Sequence, residues 1–170
     1  MSQQRMPAWK AQRTLLLVGE GRHEEAFLYH VKHLYIQRGC GLAVTIKHAG
    51  GKGAKHVIDW TVRQIANVAY DSVAAMLDTD VDWSPVVAKR AKAKKIHVLA
   101  SEPCFEAILL RLIGQHPVGD ANDLKRLLAP YLNDDPTRRE NYRAHFGKSC
   151  LEAGRQQERA IDDLLKLLGA

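Results

Sequence analysis

Eight of the 19 carboxylates fall in three short stretches of this chain. Glu20 stands between two glycines in Gly19-Glu20-Gly21, and Glu24 and Glu25 follow at once. Asp78, Asp80 and Asp82 alternate in Asp78-Thr79-Asp80-Val81-Asp82, and Glu102 and Glu106 bracket Pro103-Cys104-Phe105. Acids brought together repel one another, and each has a raised pKa unless a cation lies between them. Hard divalent cations take oxygen ligands, so Mg²⁺ or Mn²⁺ is the natural occupant. Such an ion orients a phosphodiester and lowers the pKa of the attacking water. Glu20 with Asp78 and Asp80 is the set hardest to read as surface decoration. Glu24 and Glu25 read equally as favourable charges in a first helical turn. Asp82 reads first as the cap of a following helix with Pro85 in its first turn, and second as a ligand.

Positive groups suggest where a phosphate would be met. The loop Gly50-Gly51-Lys52-Gly53-Ala54-Lys55-His56 sets backbone N–H groups, Lys52 and Lys55 at a helix start, a place that suits a phosphate. The alternative is an ordinary turn, and the chain has no G-x-x-x-x-G-K-[ST] motif. His23 joins these lysines as a candidate phosphate contact. The run Lys89, Arg90, Lys92, Lys94 and Lys95 has no intervening acid; such a run is more often a solvated helix face than a binding stripe. Arg5, Lys10 and Arg13 are similarly ambiguous. Cys104 lacks a paired base and reads as a packed thiol rather than a nucleophile. His30, His33, Trp60 and Trp83 read as packing or surface residues.

These residues need a frame. Apolar runs at 13–19, 42–47, 71–77 and 95–100 read as strands, and each acid stretch follows one of them. Helical spacing covers 23–37, 57–69, 84–94, 103–115, 121–132 and 152–168. Strands alternating with helices point to βαβ units: an α/β fold with a mostly parallel sheet of about four strands, helices on both faces and C-terminal helices. The expected organisation is a loose arm over 1–12 and one domain over 13–170. The polar segment 133–148 is the expected flexible stretch. In open parallel sheets ligands bind beyond the C-terminal strand ends, where the acids stand.

The motifs resemble a known family. Glu20, Gly21 and Glu25, followed by Asp78 and Asp80 at a later strand end, resemble the TOPRIM domain of topoisomerases, bacterial primases and OLD-family nucleases. The RloB-like family of small TOPRIM proteins is similar in Leu15-Leu16-Leu17-Val18-Gly19-Glu20-Gly21, in Met76-Leu77-Asp78-Thr79-Asp80 and in Ser101-Glu102-Pro103-Cys104-Phe105-Glu106-Ala107-Ile108-Leu109-Leu110. The likeness spans residues 13–115. Departures are His23 and Glu24 in place of a lysine and a threonine, Glu102 in place of an asparagine, and Ile108 in place of a tryptophan. The resemblance implies a TOPRIM, Rossmann-like sheet and a Mg²⁺-dependent nuclease. It makes Glu20 the general base or a metal ligand and Asp78 and Asp80 metal holders. Glu25 and Glu106 become secondary acids, and a role in phage defence follows by association.

Composition sets outer bounds. The 170 residues are 46% hydrophobic and 26% charged, which excludes disorder as the main state. No apolar run approaches the roughly 20 residues of a membrane span. The opening residues carry no leader-like stretch. Three widely spaced cysteines argue against a disulfide framework and fit a cytoplasmic protein. The net charge of +6 favours polyanions. What the resemblance implies is a nuclease acting on DNA or RNA, with an ATPase or restriction-system component as a partner. A homodimer face on the C-terminal helix is the alternative to core packing there. Competing readings are a non-cutting subunit that binds nucleic acid or a partner ATPase, and a D-x-D aspartate phosphatase. The position of Asp78-Thr79-Asp80 after the third strand disfavours the phosphatase.

Overall fold

A computed structural model describes residues 11–80 and 82–170. Residues 1–10 of the expected arm, with Arg5 and Lys10, lie outside the described residues, as does Val81. The chain is already anchored at Gln12 and Arg13, whose N–H groups both donate to the Gly41 carbonyl.

Four parallel strands, β1 (Arg13–Gly19), β2 (Leu42–His48), β3 (Ser72–Asp78) and β4 (Ile96–Ser101), form one sheet in the order β2-β1-β3-β4. Among the described residues seven α-helices accompany it: α1 (Arg22–Tyr35), α2 (Gly53–Asn67), α3 (Pro85–Ala93), α4 (Phe105–Leu112), α5 (Ala121–Leu128), α6 (Lys148–Gly154) and α7 (Arg159–Leu167). The apolar runs become strands because both faces of the sheet are covered. Leu15 and Leu17 of β1, with Ala74 and Met76 of β3, face one core, which receives Phe27, Val31, Ile108, Ile161 and Leu165 from the helices. Leu16 and Val18, with Val73, Ala75 and Leu77, face the other, filled by Val57 and Ile58 of α2 and Val87 and Ala91 of α3.

Strand β1 lies between β2 and β3. The connection through α1 runs over the first face, and the return through α2 runs over the second. The connection that leaves β1 through α1 and the one that leaves β3 through α3 start from neighbouring C-terminal strand ends onto opposite faces, which leaves a crevice there. Glu20 and Asp78 occupy those two ends.

Three expectations need correction. The helix expected from residue 57 begins at Gly53. The single helix expected over 152–168 is two, α6 and α7. At Gly154 a Cβ would lie 2.1 Å from Leu112 Cδ2, so α6 ends close against α4, where a larger residue would displace the Leu112 side chain. Finally, 133–148 is irregular but packed. Its Tyr142 and Phe146 are fully buried and close around Phe27, at ring-centroid distances of 5.7 and 6.5 Å.

Candidate functional site

Backbone bonds bring the acids together. Glu20 continues β1, its N–H donating to the Met76 carbonyl at 3.0 Å. Its Oε2 accepts the Asp78 N–H at 3.0 Å. Asp78 Oδ1 in turn accepts the N–H of Phe105, the first residue of α4, at 2.9 Å. The ends of β1, β3 and β4 are thereby tied through two carboxylates. Around them lies a pocket of about 350 Å³ lined by Glu20, Glu24, Asp78, Asp80 and Glu106, with Arg22, His23 and Lys125 as its basic groups.

The electrostatics of the pocket are those of crowded acids. Burial first, then the charges of Glu20, Glu24 and Glu106, push Asp78 up to about 8, against the opposing Phe105 N–H bond. Burial also raises Glu24, whose Oε2 accepts the Gly21 N–H at 2.8 Å. Burial opposes the charged form of Glu106 too, but the pairing with His23, a backbone N–H and Lys125 hold it below the usual range. His23 Nδ1 lies 3.7 Å from Glu106 Oε1, an ion-pair separation rather than a hydrogen bond. That pairing raises His23 despite burial. Asp80 is exposed at the rim. Cys104 is buried, and burial pushes its thiol up to about 11, which agrees with a packed group rather than a nucleophile.

The remaining expected site residues lie elsewhere. Glu25 points toward the end of β2, with its Oε2 4.0 Å from His48 Nε2, and Glu24 takes its place in the pocket. Asp82 is exposed and reaches the start of α2, where a Cβ on Gly53 would meet its Oδ2 at 2.5 Å. It does not cap α3; Ser84 does, its Oγ accepting the Val87 N–H at 3.3 Å. Lys52 is exposed in a left-handed conformation before α2. Lys55 pairs with Asp59 at 2.7 Å, and Asp59 also holds Arg90 at 2.8 Å. Neither lysine lines the pocket, although the glycine loop is tied to its edge, the Gly51 N–H donating to the Glu20 carbonyl at 2.8 Å.

Sequence reasoning missed Glu24 and Lys125. A signal existed for Glu24: helix α1 begins at Arg22 with Gly21 as its N-cap, so Glu24 is the third helical residue and closes a capping box back onto Gly21. Lys125 has no such signal, because only the packing of α5 brings it to the pocket.

The donor set suits a hard cation: the acids offer only oxygen, and the charges of Glu20, Glu24 and Glu106 add to burial in raising Asp78. Among the described residues, no three His, Cys, Asp or Glu side chains are already set as a cage for an ion. No family model matches this sequence, and neither curated proteins nor solved structures give a match.

Proposed function

We propose that this crevice takes a divalent cation, Mg²⁺ or Mn²⁺, and hydrolyses phosphodiester bonds in nucleic acid. The observation that carries the reading is the crowding of Glu20, Asp78 and Glu106 at the switch point of a parallel sheet, where burial first and the neighbouring acids second lift Asp78 to about 8. Glu20, Asp78 and Asp80 would hold the cation, with Glu24 and Glu106 adding charge beside them. Such an ion polarises a phosphoryl oxygen and lowers the pKa of water. The chain itself fixes the acids through the Asp78 and Phe105 N–H bonds and offers His23 and Lys125 to the non-bridging phosphate oxygens. The resemblance to RloB-like TOPRIM proteins and the net charge of +6 support nucleic acid as the substrate. A role in phage defence rests on that resemblance alone.

The test is a cleavage assay on tRNA, single-stranded and duplex substrates with Mg²⁺, with Mn²⁺ and with EDTA. Metal-dependent products are expected from the wild type and none from Glu20→Gln, Asp78→Asn or Asp80→Asn. Products of equal rate from all three folded variants would remove the assignment. No products from folded, metal-binding wild type would favour a non-cutting subunit and send the search to a partner ATPase.

A further inference from the structure

A second cavity, of about 280 Å³, opens beside the acidic pocket and shares His23, Glu106 and Lys125 with it. Its floor is apolar and fixed. Phe105, Leu109, Leu128, Leu132 and Tyr142 line it, and all five are buried. Phe105 packs edge-on to Phe27 at 5.4 Å, and Tyr142 is held by its hydroxyl on the Pro136 carbonyl at 2.8 Å. The polar groups stand only at the edge, where exposed Lys125 and Asp134 join His23 and Glu106. The cleft therefore asks for a ligand with apolar faces, hydrogen-bonding edges and a phosphate within reach of the neighbouring acids.

We infer that this cavity holds the base of a nucleotide whose phosphate lies in the acidic pocket, so that the substrate is an unpaired strand or an extruded nucleotide. The inference rests on the proposed phosphodiester chemistry and deepens it. A base inside a duplex is stacked on both faces and cannot reach a recess, whereas an unpaired base packs on apolar and aromatic side chains. Glu106 and Asp134 accept hydrogen bonds from exocyclic amino groups, which favours bases that carry one. The boundary shared through His23, Glu106 and Lys125 sets base and phosphate side by side.

The test is NMR of leucine-methyl-labelled protein titrated with the ribo- and deoxyribonucleoside 5′-monophosphates, with ribose 5-phosphate as the base-free control. The nucleotides are expected to shift the Leu109, Leu128 and Leu132 methyl signals, and ribose 5-phosphate to leave them in place. Ala129→Leu, which narrows the cavity from its partly exposed wall, is expected to weaken nucleotide binding roughly tenfold, the scale of one lost base contact. The inference is overturned if ribose 5-phosphate moves the same methyls, or if no nucleotide moves them. The two readings fail separately. Methyl shifts without metal-dependent cleavage would remove the hydrolase and keep the base site. Cleavage of duplex with no methyl shifts would remove the base site and keep the hydrolase.

Discussion

At the residue scale the site depends on a contact in which no ligand takes part. A Cβ at Gly19 would lie 2.8 Å from Glu24 Cβ and 2.9 Å from the Glu25 nitrogen. The glycine is there so that α1 can start directly against the end of β1, which is how Glu24 reaches the pocket. Gly19→Ala is expected to cost about 1–3 kcal/mol in a urea melt, the usual range for overpacking. The neighbouring Gly21→Ala, whose Cβ would meet nothing nearer than 3.5 Å, serves as the mild control. Asp78 gives a second prediction. If the crowded acids bind a cation, Mg²⁺ raises the melting temperature of the wild type by binding the folded state only. Asp78→Asn keeps an oxygen for the Phe105 N–H but removes one of the charges, so its melting temperature should not respond to Mg²⁺. An equal response in both proteins would place the cation elsewhere. Glu20 and Asp78 were legible as strand-end acids in an apolar–polar pattern. The choice between Glu24 and Glu25 was not, because adjacent helical residues point about 100° apart and one residue of phase decides which enters the pocket.

At the scale of elements, long-range side-chain bonds hold the irregular third of the chain. His30 on α1 is buried, and its Nε2 lies 2.8 Å from the Phe146 carbonyl. A carbonyl accepts, so the imidazole donates there. Burial holds His30 below its ordinary pKa, although the carbonyl bond works the other way. The folded state therefore disfavours its protonation. Its contribution to stability is whole above the unfolded value of about 6.5 and is lost as pH falls through the lowered folded value. His23 acts in the opposite sense, since its raised pKa adds stability as pH falls. The difference between wild type and His30→Gln isolates the first effect. The variant's urea midpoint should fall less between about pH 7 and pH 5, and parallel curves would refute the assignment. Arg111 on α4 forms an ion pair with Glu158 at the start of α7, and its Nη2 also donates to the Glu102 carbonyl at 3.0 Å. Arg111→Met strands a buried carboxylate. With Arg111 itself about one-third exposed, the expected cost is about 1–3 kcal/mol by denaturant melt, more than for Glu158→Gln. These ties explain what the sequence hid. The strands and first helices announce themselves by local period. Tyr142 and Phe146 sit four apart in a polar segment, and nothing local shows that they close on Phe27.

At the scale of the whole molecule, one sheet separates two cores, and β1, β3 and β4 contribute side chains to both. Leu15 and Leu16 are neighbours in sequence, both fully buried, on opposite faces. Neither face can be lost without exposing the other side of the same strands, so residues 13–170 should unfold as one unit. Matched substitutions test this. Ile161→Val on α7 and Ile58→Val on α2 each remove one methylene from a fully buried site, on opposite faces. Each should cost about 1 kcal/mol and lower the melting temperature by roughly 2–4 °C at this chain length. Trp60 packs against the α2 face, so with Trp9 and Trp83 replaced by phenylalanine its fluorescence reports that face alone. Ile161→Val, on the far side of the sheet, should nevertheless shift the fluorescence transition as far as the circular dichroism transition. A fluorescence transition that stays in place while the dichroism moves would mean that the two faces unfold separately. The crevice at the β1 and β3 ends would then be built on the joint between two units rather than on one rigid sheet.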